Sequence, residues 1–299
     1  MRTLSVMLVG GLLASAIPAG AAGLDWQAVD TTLGRKAVVT GDVHRYGFPR
    51  SDLHVTLDGV TVEPGLALGG WIAFKPEHDG AMVMGDLVLL ESEITPVLTK
   101  LLDEGLDVTA IHNHLLRATP ATFYLHVAGH GDPGKIARAI KAALAESKTP
   151  MSTSPGAPTK QIELDTKQLD EIIGVKGKAA GDIYQFAVER QGVVSERGMK
   201  LVPAAPLGVA TGINFQQTGG GKAAITGDFV LTAKEVNPVL RALRSGGIEV
   251  AAIHSHMLDE QPRLFFLHFW ANDDASKLAH GLRAALDKTS RATATVGQQ

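Results

Sequence analysis

The sequence predicts an α+β protein built from two copies of one module. The segment Ala110–Leu116 (AIHNHLL) returns as Ala252–Leu258 (AIHSHML), at an offset of 142 residues. Within each copy, strand-like segments are joined by connections too short for parallel crossovers. Apolar residues at helical spacing follow the longest of these segments. Together these observations predict an internally duplicated module with mostly antiparallel sheets, two helices per repeat and a pseudo-two-fold arrangement.

The N-terminus has the pattern of a secretory signal peptide, which we place at residues 1–21. Arg2 supplies a positive charge, Leu4–Ile17 is apolar, and Pro18–Ala21 is a small-residue cleavage site. The apolar run is too short and too rich in Gly and Ala for a membrane span. We therefore expect a soluble mature protein that is periplasmic or secreted, with no membrane span after signal cleavage.

The remaining chain divides into two repeats and a linker. The first repeat covers residues 22–147 and the second covers 164–299, since Asp30 and Tyr46 already recur as Asp170 and Phe186. Residues 148–163, rich in Ser, Thr and Pro, have the composition of a linker.

Within the first repeat, short strands precede a long strand at Ala81–Leu90. A helix with an apolar stripe follows and ends at Gly105, and Thr95–Pro96 fits an N-cap followed by proline at the first helical position. A strand pair, Leu106–Leu116 and Ala121–Ala128, leads to a final helix that opens at Asp132 and Pro133. The counterparts in the second repeat are Ala223–Leu231, Asn237–Pro238, Ile248–Leu258 and Leu264–Trp270.

Composition excludes several classes of protein. The net charge is -3, and the Lys and Arg residues are scattered, so we expect no nucleic-acid partner. The sequence contains no cysteine, which excludes disulfides and thiolate ligands. Any bound metal must therefore be held by nitrogen and oxygen atoms. The oligomeric state does not follow from the sequence.

Three histidines recur with unchanged spacing in the two copies. His112, His114 and His126 of the first repeat correspond to His254, His256 and His268 of the second. Alternation along a strand places the first two on one face, ~7 Å apart. A hairpin turn near Thr119–Pro120 predicts that His126 lies opposite residues 113 and 114, and that His268 lies opposite His256.

Each set of three imidazoles is a candidate site for Zn, Cu, Fe or Ni. The expected fourth ligand is Glu93, with Glu235 in the second copy. Both glutamates sit just before a helix, so a favourable interaction with the helix dipole also accounts for them. The alternative for the histidines is a hydrogen-bonded polar network buried between the halves.

The second copy has the larger aromatic surface around its histidines. Phe265, Phe269 and Trp270 stand where the first copy has Phe123, Val127 and Ala128, so we expect the second site to be the more functional one. Five other histidines lack a counterpart in the other copy, and we interpret them as incidental: His44, His54, His78, His130 and His280.

The motifs GDFVLTAKEVNPVL and AIHSHMLDEQPRLFFLHFW, with GDLVLLESEITPVL and AIHNHLL in the first half, resemble the LppY/LpqO family of exported bacterial proteins of unassigned function. The resemblance covers nearly the whole mature chain but supplies no mechanism. Our leading hypothesis from the histidines is an exported protein that binds a divalent transition metal, with a metalloenzyme as its more specific form and a small molecule or metal ion as its partner. The alternative is a non-enzymatic envelope module that binds a ligand or partner.

Overall fold

A computed structural model describes residues 23–152 and 161–291. The predicted signal peptide at 1–21 lies outside the described residues, as do positions 153–160 of the predicted linker. Residues 23–152 contain α1 (Trp26–Leu33), β1 (Val38–Thr40), β2 (Val43–Pro49), β3 (Val55–Leu57), β4 (Val60–Val62), α2 (Pro64–Ala67), β5 (Gly69–Glu77), β6 (Gly80–Leu90), α3 (Glu91–Asp103), β7 (Asp107–His112), β8 (Thr122–Gly131) and α4 (Pro133–Leu144).

The second repeat follows the same plan. Residues 161–291 contain α5 (Thr166–Ile173), β9 (Lys178–Ala180), β10 (Ile183–Val188), β11 (Ser195–Glu196), β12 (Met199–Lys200), a short 3-10 helix (Ala205–Leu207), β13 (Thr211–Gly219), β14 (Lys222–Thr232), α6 (Ala233–Ser245), β15 (Glu249–His254), β16 (Glu260–Gln261), β17 (Leu264–Asp274) and α7 (Ala275–Leu286).

Each repeat forms a six-stranded sheet with the same strand order. The first sheet runs β1-β2-β5-β6-β8-β7, and the second runs β9-β10-β13-β14-β17-β15. The strand pairs in both sheets are antiparallel. The predicted α+β class and the duplication are therefore confirmed. Besides the two predicted helices, each repeat begins with a further helix, α1 in the first repeat and α5 in the second.

One face of each sheet is covered by helices. In the first repeat, α1, α3 and α4 cover a core that includes Phe74, Leu87 and Leu125. The opposite faces of the two sheets pack against each other, because their buried clusters combine residues from both halves. One cluster joins Tyr124 to Trp270, and another joins Met84 to Phe266. The sheets therefore form the two inner layers of the molecule, with helices outside.

Strand alternation decides which side chains reach the space between the sheets. Leu87 and Leu125 point into the helix-covered core. Their neighbours Asp86 and His126 must then point the other way, towards the second repeat. These two residues are paired directly across β6 and β8. The histidines therefore lie on the face where the repeats meet.

The long helix of each repeat begins one turn earlier than predicted. It starts at Glu91 in the first repeat and at Ala233 in the second, so Pro96 and Pro238 lie inside the helices rather than at their starts. The reason is that a glutamate in the first turn accepts a hydrogen bond from the backbone N–H of the N-cap residue. The final helix, by contrast, opens at Pro133 behind the N-cap Asp132, as predicted.

The register between β7 and β8 also differs from the prediction. His126 lies opposite Ala110, not residues 113 and 114, because the strands are joined by the long connection 113–121 and not by a tight turn at Thr119–Pro120. The strand ends at His112, and His114 belongs to the loop that follows. In the second repeat His268 likewise lies opposite Ala252 and not His256. Within the described part of the chain, no helix is both long and apolar enough to cross a membrane.

Candidate metal centre

The six repeated histidines meet in one cluster between the two sheets. His112 stacks on its counterpart His254 with ring centroids 3.4 Å apart. On either side of this central pair, His114 stacks on His268 at 3.6 Å and His126 stacks on His256 at 3.9 Å. Exchanging the repeats converts the contact between His114 and His268 into the contact between His256 and His126, so the cluster follows the predicted pseudo-two-fold relation.

The histidines that share a site come from different repeats. Ligand nitrogens of His112, His114, His254 and His268 all lie within 4.8 Å of one another, and so do those of His126, His254 and His256. The sequence predicted one three-histidine site inside each repeat. In the structure, each group instead includes a histidine from the other repeat, because the two sheets face each other across the pseudo-two-fold axis.

In the second repeat, the hydrogen bonds leave two imidazole nitrogens that carry no hydrogen facing each other. A backbone carbonyl can only accept, so Nδ1 of His268 donates to the Gly227 carbonyl at 3.0 Å, and Nδ1 of His254 donates to the Ser255 carbonyl at 3.2 Å. A neutral imidazole has only one N–H. The Nε2 atoms of these rings, 2.8 Å apart, therefore both present lone pairs.

Two facing lone pairs repel each other, and either a metal ion or a tautomer with its N–H on one Nε2 removes this repulsion. A second proton on either ring is disfavoured, because burial lowers the pKa of His254 to about 4 and, together with the nearby histidines, holds the pKa of His268 well below its usual range. The first repeat has a related contact, with the Nε2 atoms of His112 and His126 2.9 Å apart, but Nδ1 of His112 has no hydrogen-bond partner within the described ranges. Burial lowers the pKa of His112 to about 3.

The two loop histidines have equivalent surroundings. His114 is sandwiched between Tyr124, 3.4 Å away by ring centroids, and His268. His256 is sandwiched between Phe266, at 3.4 Å, and His126. Among the described residues, the buried Nε2 atoms of His114 and His256 have no hydrogen-bond partner. An unpaired buried nitrogen costs about 1–3 kcal/mol, so its repetition in both copies indicates a ligand.

The buried Asp86, the half-buried Asp228 and an arginine lie beside the cluster. Asp228 groups with His256 and His268 as a further set of close ligand atoms. Burial raises the pKa of Asp228 to about 7, although the Gly212 N–H and Arg45 act in the opposite direction. Burial and the neighbouring Asp228 charge raise the pKa of Asp86 well above its usual range. Asp228 is thus a candidate oxygen ligand beside the histidines.

Arg45 is held against Trp71, with its guanidinium carbon 3.8 Å from the ring centroid. Burial lowers the pKa of Arg45 to about 10, while Asp86 and Asp228 raise it. The arginine therefore supplies positive charge between two carboxyl groups that would otherwise repel each other.

Glu93 and Glu235, predicted as fourth ligands, have a structural role instead. Glu93 binds the buried Arg50 at 2.6 Å and accepts hydrogen bonds from the backbone N–H groups of Leu90 and Lys148. Glu235 binds Arg190 at 3.2 Å and accepts from the corresponding positions, Thr232 and Ser290. These contacts use the carboxylate oxygens, and among the described residues neither glutamate belongs to a group of close potential metal ligands.

Two of the aromatic residues that favoured the second repeat have other surroundings. Phe269 belongs to the helix-covered core of that repeat, while the indole N–H of Trp270 donates to Asp58 of the first repeat. The ring next to each loop histidine is matched between copies, as Tyr124 and Phe266. The groups of close histidine nitrogens include residues of both repeats, so the geometry gives neither repeat a separate group.

Two cavities reach the cluster from opposite ends. One, of about 490 Å³, is lined by His114 and His268. The other, of about 330 Å³, is lined by His126 and His256. His78 and His130, which the sequence analysis set aside as incidental, line the second cavity. Imidazole nitrogens without thiolates are ligands that suit borderline transition metals such as Zn, Cu, Fe and Ni.

The fold and site together define an internally duplicated α+β protein with a histidine cluster between its repeats. The chain belongs to the family described as Domain of Unknown Function (DUF1259), which matches residues 27–146 and 167–288. No curated protein matches the chain.

Three solved structures show distant similarity. The trimeric bacterial microcompartment shell protein PduB is 14% identical over 86% of this chain and 91% of that chain, with a TM-score of 0.21. The double-ringed trimeric shell protein MSM0271 of the RMM microcompartment is 11% identical over 75% and 88%, with a TM-score of 0.21. EtuB from Clostridium kluyveri is 14% identical over 85% and 89%, also with a TM-score of 0.21. Likenesses this remote bear on neither function nor assembly.

Proposed function

We propose that this protein binds transition metal ions in two three-histidine sites that the repeats share. One site consists of His112, His114 and His268, and the other of His254, His256 and His126. This division uses each of the six imidazoles once, and the pseudo-two-fold relation exchanges the two sites. The signal-like segment at residues 1–21 supports a periplasmic or secreted location.

The observation that carries the proposal is an unpaired buried nitrogen in each three-histidine group. Within the described ranges, the buried Nε2 atoms of His114 and His256 have no hydrogen-bond partner, and each of these histidines belongs to a group whose ligand atoms lie within 4.8 Å of one another. Nδ1 of His268 lies 3.0 Å from the Gly227 carbonyl, and a carbonyl partner on Nδ1 is a usual way in which proteins orient a metal-binding histidine. A polar network without metal would leave both Nε2 atoms without a partner.

Three imidazoles leave a coordination position open in a tetrahedral ion. The two cavities give that position access to water or a small molecule from either end of the cluster. A bound water or small ligand at such an ion supports a metalloenzyme as the more specific form of this function. Asp228, with its raised pKa, supplies a carboxyl group beside one site for proton transfer.

The test is the metal content of protein purified without a polyhistidine tag. After incubation with Zn(II) and dialysis, elemental analysis should give two equivalents for the wild type. The variant H114A/H256A, which removes one ligand from each site, should lose both. The control H54A/H280A removes two exposed histidines and should retain two equivalents. A wild type that stays metal-free, or an H114A/H256A variant that stays loaded, would contradict the proposal.

A further inference from the structure

Four methionines line the cavity that leads to His126 and His256. They are Met82, Met84, Met199 and Met257. The sequence has seven methionines, and two of these lie in the first ten residues, so this cavity holds four of the remaining five. The fifth, Met151, packs against the helix-covered core of the first repeat.

The methionines occupy only one of the two pseudo-equivalent ends of the cluster. Offset by 142 residues, the counterparts of Met82 and Met84 are Ala224 and Thr226, and the counterpart of Met257 is Leu115. Met82, Met84 and Met257 are all buried. The other cavity, beside His114 and His268, is lined largely by glycines and polar side chains. The thioethers therefore distinguish one entrance from the other.

The outer rim of the methionine-lined cavity carries a third kind of ligand. Glu77, Asp79 and His130 offer ligand atoms within 4.8 Å of one another, and all three line the same cavity. Along this cavity, a cation would pass from carboxylates and an exposed imidazole to thioethers, and then to the imidazoles of His126 and His256. The carboxylates are hard ligands, the imidazoles are borderline ligands, and the thioethers are the softest ligands along this path.

We propose that this cavity is a selective entrance and binding site for a soft monovalent cation, Cu(I). Thioethers bind Cu(I) well but compete poorly with water for Zn(II) and other harder divalent ions. Met82 and Met84 share one face of β6, and His256 contributes a buried Nε2 that has no hydrogen-bond partner within the described ranges. Cu(I) at this end would take imidazole from His126 or His256 and sulfur from the methionines. The inference rests on the proposed metal-binding function and names the ion that this end of the cluster takes.

Apo protein is titrated anaerobically with Cu(I) against a chromophoric Cu(I) chelator, and separately with Zn(II). We compare the wild type with M82L/M84L and with M82L/M84L/M199L/M257L, since leucine preserves the volume and removes the sulfur. The control M151L removes a methionine outside the cavity. Cu(I) affinity should fall at least tenfold in both cavity variants and stay unchanged in M151L, while Zn(II) equivalents stay at the wild-type value in all of them.

X-ray absorption of wild-type protein loaded with Cu(I) gives a measurement that needs no variant. A sulfur scatterer in the copper coordination shell supports the proposal, and a shell of nitrogen and oxygen alone overturns it. Wild-type Cu(I) affinity in the quadruple variant would also overturn it and would leave the methionines as core-filling residues. Failure of the wild type to bind Zn(II) would instead contradict the histidine sites, so the two proposals fail separately.

Discussion

Acidification should unfold the apo protein through its histidine cluster. The six histidines of the cluster are neutral when folded, because burial lowers their pKa values, to about 3 for His112 and about 4 for His254. In the unfolded chain they titrate near their ordinary value of about 6.5. A lowered folded pKa gives stability that is fully present above that value and is lost as the pH falls.

The two aspartates beside the cluster oppose this effect. Asp228, with a pKa raised to about 7, and Asp86 bind protons in the folded protein at pH values where the unfolded chain has released them. Their raised pKa values give stability at low pH that is lost as the pH rises. Unfolding below pH ~6.5 thus takes up roughly six protons at histidines and releases roughly two at aspartates. The net slope is about 5 kcal/mol per pH unit.

A protein of ordinary stability, about 5–15 kcal/mol, should therefore unfold between about pH 6 and pH 4. Far-ultraviolet circular dichroism and tryptophan fluorescence with a chelator present will report the midpoint. The variant H114L/H256L, with two fewer buried imidazoles, should unfold at lower pH than the wild type, and H54A/H280A should match the wild type. Apo wild type that remains folded at pH 3, or equal midpoints for wild type and H114L/H256L, would refute the reasoning.

Two further predictions concern stability. Arg50 is fully buried and pairs with Glu93, so R50M should lower the free energy of unfolding by about 3–5 kcal/mol without changing the metal equivalents of the folded protein. R117M removes an exposed ion pair and should lower the free energy of unfolding by at most about 1 kcal/mol. A loss of metal in R50M would indicate that Glu93 is a metal ligand. With a chelator present, H114L/H256L should be more stable than the wild type by about 1–3 kcal/mol for each unpaired nitrogen removed, as measured by urea denaturation. A destabilised variant would show that the two Nε2 atoms have hydrogen-bond partners in the apo protein.

The fold class and the six histidines could be predicted from the sequence, because both depend on a pattern that occurs in each of the two repeats. It was insufficient for the grouping of the histidines. His126 and His268 keep the same spacing whether they serve their own repeat or the other one, and only the packing of the two sheets decides between these arrangements. The register error had a local cause, because the prediction assumed a tight turn at Thr119–Pro120 where the structure has the longer connection 113–121.

The role of Glu93 and Glu235 could have been found from the sequence. Arg50 and Arg190 recur at the offset of 140 residues that Asp30 and Asp170 share, so each repeat contains a matched arginine and glutamate. A buried carboxylate needs such a partner. By contrast, the methionine-lined cavity has no repeated pattern, since Met199 and Met257 reach it from a different repeat than Met82 and Met84.

The most direct test of the account compares two pairs of substitutions that differ only in which repeat supplies the second histidine. H114A/H268A removes two ligands of one proposed site, and H114A/H126A removes one ligand from each site. Metal content after loading with Zn(II) should be one equivalent for H114A/H268A and near zero for H114A/H126A. The opposite result, one equivalent for H114A/H126A and near zero for H114A/H268A, would place each site inside its own repeat and contradict the shared centre.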